Sequence, residues 1–376
     1  MEKGSKPVKA YKGFNKHMQC TPNGKIFQYE IGKEYKEDEA DLCHCGFHAC
    51  ENPLDVLSYY NNIDDKFCEV ELDEIDPNRN RDSKICGKKI KIGIEIGFLG
   101  LFKAGIEWIK NKTIFTKEDF EKLPSGYDAK IGSSGDDAKI GSSGDGAQIG
   151  SSGYGAQIGS SGYGAQIGSS GDGAKIGSSG YGAQIGSSGD GAKIGSSGYG
   201  AKIGSSGYGA QIGSSGYGAK IGSSGDGAKI GSSGYGAQIG SSGYGAQIGS
   251  SGDGAKIGSS GDDAKIGSSG YGAQIGSSGY GAQIGSSGYG AKIGSSGDGA
   301  KIGSSGDDCV IMCAGINSSA KAKIGSWITL AEWKYSEEKQ RYIPFSVVTK
   351  QVDGIEIKED VYYTLQDGKF KESEQQ

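Results

Sequence analysis

Apolar positions in the middle of this chain recur at a fixed phase. From Ala129 to Ile302 an alanine returns every nine residues with an isoleucine two places after it, as at Ala156/Ile158 and Ala165/Ile167. The residue between them is only ever lysine or glutamine. Side chains alternate along an extended chain, so Ala and Ile face one way and Lys/Gln the other. The rest of each unit, Gly-Ser-Ser-Gly-(Asp/Tyr)-(Gly/Asp), is turn chemistry. A three-residue strand with one Ile and one Ala cannot bury its apolar face alone, but identical units stacked in register can. The pattern therefore predicts a solenoid.

Nine residues are too few to close a coil around a core, whereas two units per coil, about 18 residues, suffice. The Asp/Tyr position supports this reading when alternate units are separated. In the set beginning at 145 (145, 163, 181 and so on), Tyr stands at seven of ten positions. In the set beginning at 136, Asp stands at six of ten. In the second set Asp is always followed three residues later by Lys (Asp172/Lys175) and Tyr by Gln (Tyr208/Gln211); the first set breaks that rule at Asp145/Gln148 and Tyr199/Lys202. Two sets with different habits match the two faces of one coil. At a strand spacing of about 4.8 Å, ten coils make a rod of about 48 Å with a thin Ile/Ala core. Both ends of such a stack need caps.

Rival readings of the repeat fail on its residues. A calcium β-roll needs an Asp in every turn, and eleven of the twenty units carry Tyr there. A triple helix needs Gly at every third residue. A flat ice-binding face would show Thr ladders, and residues 126–311 contain no Thr. A flexible Gly/Ser linker has no reason to keep Ile and Ala in phase.

The flanks carry ordinary patterning. Phe27/Tyr29/Ile31 alternate after a Thr21-Pro-Asn-Gly24 turn, which predicts a hairpin. Asn52-Pro53 opens a short helix with Leu54, Val56, Leu57 and Tyr60. Residues 67–72 and 88–96 read as strands, the latter with Ile90, Ile92, Ile94 and Ile96 on one face. Phe98–Lys110 reads as an amphipathic helix with Leu101, Phe102, Gly105, Trp108 and Ile109 on or near one face. Thr116–Leu123 reads as a last short helix leading into the first coil. After a degenerate coil at Cys309–Ile316, the segments Trp327–Trp333, Tyr342–Gln351 and Val361–Phe370 read as a β-meander with turns at Asp353-Gly354 and Asp367-Gly368. The expected fold is mainly β: a two-sided parallel β-solenoid over 126–316, about 18 residues per coil. A small α+β N-terminal domain (1–125) and a C-terminal β-meander (317–376) flank it.

Composition narrows the function classes. Gly is 72 of 376 residues and the formal net charge is −5. No basic stripe points to nucleic acid. No run reaches about 18 apolar residues and the N-terminus reads as no signal segment, so a cytoplasmic, non-membrane protein with reduced cysteines is expected.

Candidate chemistry is thin. Leu42-Cys43-His44-Cys45-Gly46-Phe47-His48-Ala49-Cys50 packs three thiols and two imidazoles into eight residues. Cys43, Cys45, His48 and Cys50 are therefore candidate zinc ligands, though the spacing is not that of paired C-x2-C motifs, and a strand-to-helix turn with Cys43, Phe47 and Cys50 in the core is the favoured account. The only histidines are His17, His44 and His48. There is no nucleophile elbow, P-loop or dinucleotide fingerprint. The Tyr-rich set, Tyr163, Tyr181, Tyr199, Tyr217, Tyr235, Tyr271 and Tyr289, is a candidate binding surface, or a ladder of rings stacked on one another.

At Tyr11-Lys-Gly-Phe14, Phe27-Gln-Tyr-Glu-Ile-Gly-Lys33, Gly46-Phe-His-Ala-Cys-Glu-Asn-Pro-Leu-Asp-Val56 and Lys89-Ile-Lys-Ile-Gly93, the chain resembles an uncharacterised domain family of phages, prophages and bacteria. That resemblance extends to Lys323–Trp333 and Tyr362–Phe370 and implies the same plan of domain, repeats and C-terminal segment, with no established activity. The Tyr11-Lys-Gly strand and the Gly46-Phe-His48 turn are also similar to the opening of ADP-ribosyltransferase-like folds, which implies an enzyme with its site in residues 10–60. The favoured expectation is a non-enzymatic interaction protein without cofactor, its rigid solenoid displaying a Tyr/Lys/Gln/Asp surface. A phage-encoded host-interaction or anti-defence role is the form this would take. The expected partner is a protein or glycan, with homo-oligomerisation through strand edges as a further expectation. The competing classes are the ADP-ribosyltransferase-like enzyme and a zinc-binding N-terminal module.

Overall fold

The computed structural model describes residues 7–21, 26–42, 44–62, 64–78, 83–113 and 126–373. The chain divides into two compact units, Met1–Trp108 and Ile109–Gln376.

The first unit is a small antiparallel barrel. Its strands are β1 (Val8–Phe14), β2 (Gln19–Cys20), β3 (Phe27–Gln28), β4 (Glu34–Lys36), β5 (Phe47–Cys50), β6 (Lys66–Ile75) and β7 (Lys84–Glu95). β1 pairs with β5 and β6, and β7 pairs with both β5 and β6, so these four strands close a ring. Inside lie Ala10, Phe14, Tyr29, Phe47, Val70, Leu72, Ile85, Ile90 and Ile92. β2 and β3 pair as the expected hairpin, Cys20 against Phe27; residues 22–25 of its turn lie outside the described residues. The alternation read in β7 holds for Ile90 and Ile92 but stops there, for Ile94 is 64 % exposed. By then the strand has run past β4, whose last partner is Lys91, and the β6 ladder shifts register between Ile92 and Glu95.

The short helix is a 3-10 helix over Pro53–Ser58, with Asn52 capping Leu54 N–H. α1 (Gly97–Thr113) buries Phe98, Leu101, Phe102, Ile106 and Ile109. Gly105 lets this helix approach the 3-10 helix: a Cβ there would lie 2.6 Å from Leu54 Cγ. The helix read at Thr116–Leu123 falls outside the described residues.

The second unit is the solenoid. Two thirteen-stranded sheets run side by side. The first takes every other strand from β8 (Lys130–Ser133) through β28 (Val310–Cys313) to β30 (Trp327–Ser336); the second runs from β9 (Lys139–Ser142) to β29 (Ser319–Lys321). Within each sheet Gln148 pairs with Gln166 and Lys175 with Lys193, so one coil is eighteen residues and the parallel two-sided reading holds.

Ile and Ala fill the core; Ile158, Ile176 and Ala174 are fully buried. The strand itself is Lys/Gln-Ile-Gly-Ser rather than Ala-Lys-Ile, because alternation carries the first serine of each pair inward beside Ile. Ser214 and Ser268 are fully buried, and most of these hydroxyls have no hydrogen-bond partner among the described residues. Two repeat glycines are fixed by geometry. At Gly162 a Cβ would meet the oxygen of Gly144 in the previous coil, and Gly164 has φ +67°. Asp137, Asp263 and Asp308 replace the second kind at φ 52–54°, a region Asp tolerates.

The C-terminal strands do not form a single meander. β30 is still parallel to β28, and β31 (Arg341–Gln351) folds back antiparallel on it at the edge of the first sheet. β32 (Tyr363–Gln366) and β33 (Lys369–Glu372) add antiparallel to the second sheet through β29. Val352, Ile357, Tyr363 and Leu365 close the end of the core. Asp353 Oδ1 accepts the N–H groups of Ile355, Glu356 and Ile357, turning the chain from one sheet to the other.

Candidate functional site

Two features of the described residues offer chemistry: the outer face of the first sheet and a cleft in the N-terminal barrel.

On the first sheet, each strand from β8 onward turns its Lys or Gln and its Gly outward. The outer face is thus a row of Lys130, Gln148, Gln166, Gln184, Lys202, Lys220 and their successors beside a row of glycines. A Cβ built on Gly132, Gly150, Gly168, Gly186, Gly204, Gly222, Gly240, Gly258, Gly276 or Gly294 meets nothing within 4 Å. A Cβ there would clash with nothing, yet ten successive coils keep glycine. The outcome is an open groove of 1770 Å³ floored by backbone. In the last rungs Val310 takes the Lys/Gln position and Met312 the glycine position, with Trp327 stacked next. All three are exposed and end the groove in an apolar patch.

The corner leading into each strand of the first sheet holds the Tyr-rich set. Tyr163, Tyr181, Tyr199, Tyr217 and Tyr235 form one continuous stack, with centroids 4.9–5.1 Å apart. Tyr271 and Tyr289 form a second at 5.3 Å, and Asp253 separates the two. All seven rings are about half exposed. An Asp at either corner ties successive coils together: Asp145 and Asp253 beside the Tyr stacks, and Asp136, Asp190, Asp226 and Asp262 at the opposite corner, each accept the N–H of the residue eighteen places on, at 2.7–3.0 Å. Tyr244 Oη donates to Asp263 Oδ2 at 2.7 Å, and that bond raises the pKa of its hydroxyl.

The barrel cleft has a volume of 770 Å³ and is lined by Lys12, Glu37, Cys45, His48 and Cys50, with aromatic walls from Phe27, Tyr29, Tyr59 and Tyr60. His48 stands on β5, opposite Cys86 of β7. Burial, then the charges of Lys84 and Lys12, push its imidazole down to about 4, so the ring is neutral at neutral pH. Burial raises the hydroxyls of Tyr29 and Tyr60, and pushes the thiols of Cys68 and Cys86 up to about 12 and 11. Cys68 and Cys86 lie outside the cleft lining, and neither forms a thiolate near pH 7. Glu37 Oε2 accepts Gly46 N–H at 3.0 Å, and Lys84 Nζ lies 4.7 Å from the Tyr59 ring centre.

Of the candidate zinc ligands, Cys45, His48 and Cys50 line this cleft, while Cys43 lies outside the described residues. Among the described residues no three His, Cys, Asp or Glu side chains converge as a ligand set. Cys45 O instead accepts from Cys86 Sγ at 3.0 Å. Sequence reasoning passed over Lys12, whose ammonium donates to His48 O at 2.8 Å. Its signal is visible once β1 is placed, since Ala10 and Phe14 on either side are core residues.

Among the described residues no helix is long and apolar enough to cross a membrane. No curated protein and no solved structure matches the chain. Residues 8–104, which contain the barrel and its cleft, match the model of a domain of unknown function, DUF7666.

Proposed function

We propose that the protein is a non-enzymatic interaction protein whose solenoid presents the first-sheet groove, with the Tyr stack along its edge, to a linear, hydroxyl-rich glycan. The observation that carries this is the glycine row. Ten positions with open space above them stay glycine, leaving a flat strip along the coils. Strand glycine weakens a sheet, and its presence marks close approach of another chain or ligand. A pyranose chain matches the strip. Its C–H faces lie on the backbone floor and on the Tyr rings, and its hydroxyls meet the amides and ammoniums of the Gln and Lys row. Lys202, Lys220 and Lys256 form no ion pair among the described residues, so their donors are available to such a ligand. The resemblance to phage-borne proteins is compatible with a host glycan as partner.

The test is affinity electrophoresis of the full chain in gels cast with linear neutral and acidic polysaccharides, alongside a variant carrying Gly186→Thr, Gly204→Thr and Gly222→Thr. These substitutions fill the groove without clashing, so the variant keeps its circular dichroism and loses retardation. Retardation of neither protein by any polysaccharide, or equal retardation of both, defeats the proposal.

A further inference from the structure

One charged side chain breaks the pattern of the N-terminal core. Alternation along β1 sets Ala10, Lys12 and Phe14 on one side of the strand. Ala10 and Phe14 are fully buried, and Lys12 is only 9 % exposed. Its ammonium donates to His48 O at 2.8 Å and lies 5.5 Å from the Tyr29 and 5.8 Å from the Phe14 ring centres. Among the described residues no carboxylate pairs with it. A buried ammonium is costly unless its charge is matched, and one carbonyl with two ring faces matches it only in part. An apolar residue at position 12 would serve the barrel better, so the lysine answers a need other than folding.

We propose that the barrel cleft beside Lys12 binds a small organic monoanion with a flat, aromatic body. The cleft, at 770 Å³, falls within the range of small-molecule sites, roughly 300–1,000 Å³. Phe27, Tyr29, Tyr59 and Tyr60 supply flat walls. Lys12 brings into it one positive charge that no carboxylate among the described residues pairs with, a charge left for a ligand to balance. That balance selects a monoanion over a polyanion. The neutral His48 ring adds hydrogen-bonding capacity without a second competing charge. An aryl carboxylate placed with its oxygens on Lys12 Nζ has the aromatic walls on its ring. This site lies wholly within the barrel and is independent of the solenoid groove.

The experiment uses the full chain with benzoate, its neutral isostere benzamide, and inorganic phosphate, followed by saturation-transfer NMR and by the His48 ring resonances. Benzoate binds at millimolar concentration and shifts the His48 ring, while benzamide and phosphate each bind at least about tenfold more weakly. Lys12→Met keeps the apolar stem, removes the charge, and brings benzoate down to the benzamide level; Lys12→Arg retains binding. The proposal is overturned by equal binding of benzoate and benzamide, by phosphate binding as well as benzoate, by no binding of benzoate, or by unchanged benzoate binding to a folded Lys12→Met. Should Lys12→Met fail to fold, the comparison of the three probes on the unmodified chain still decides.

Discussion

His48 and Lys12 illustrate how differently two neighbouring side chains can be read. His48 stood out in the sequence because it sits in a dense Cys/His segment, and the structure places it in a cleft with its ring held neutral. Lys12 did not stand out, because a lysine in a short alternating strand reads as a solvated residue. Only the burial of Ala10 and Phe14 on the same side shows that it faces the core. The His48 environment has a consequence for stability. Its folded-state value, about 4, lies below the unfolded value of about 6.5. The unfolded chain therefore takes up a proton that the folded chain refuses. The contribution is full above about pH 6.5 and is lost as the pH falls towards 4. Urea unfolding of the native chain and of His48→Gln across that window should show a shallower pH dependence for the variant. Parallel curves for the two proteins would refute the assignment.

At the scale of the strand and the corner, most of the repeat was legible. Fixed phase gave the Ile/Ala core, and the parity of Asp and Tyr gave the eighteen-residue coil. What parity alone could not supply was its cause. Rings stack from coil to coil only at the Tyr-rich corner, whereas an Asp at either corner accepts the next coil's N–H, as Asp145 and Asp190 both do. The coupling of Asp172 with Lys175 is not an ion pair, since neither forms one among the described residues. The inward serines were also missed, because Gly-Ser-Ser-Gly reads as turn chemistry until the register of the strand is known. Stacking makes the tyrosines unequal. Tyr199 lies between Tyr181 and Tyr217, at 4.9 and 5.0 Å, whereas Tyr208 has Asp190 and Asp226 in the neighbouring coils. Each stacked pair contributes about 0.5–1.5 kcal/mol beyond buried area. Tyr199→Ala should therefore cost about 1–3 kcal/mol, and Tyr208→Ala distinctly less, by the shift of the chemical-unfolding midpoint. Equal losses would mean that the stack contributes nothing to stability.

Over the whole solenoid the decisive element is its C-terminal end, which the sequence disclosed least. Short closing strands carry no long period, so a single meander was the simplest reading of Trp327–Phe370. The physical requirement is different: two sheets end together, and each presents an unpaired parallel edge that would template another chain. The chain answers with one hairpin strand on the first sheet and two strands on the second. Each is protected as an edge. β31 carries Pro344 opposite the register shift at Glu332/Trp333, and β33 carries Lys369, Lys371 and Glu372. Trp333 Nε1 anchors the first hairpin by donating to Ala314 O at 2.8 Å, and Lys334 Nζ lies 3.5 Å from the Phe345 ring centre. Ending the chain after Gly325 removes all of this at once. It bares the β28 edge of one sheet and β29 of the other, together with Ile311 and Cys313 of the core beneath them. Because each coil contacts only its neighbours, the remaining coils keep their register, and the damage concentrates at the open end. Light scattering behind size exclusion should then find concentration-dependent oligomers for the truncated chain, with its β-sheet circular dichroism largely retained. Lysine placed at Ile311, pointing into that exposed end, should suppress the association by burying an unpaired charge in any new junction. A truncated chain that stays monomeric at every concentration tested would show that the terminal strands are dispensable as a cap.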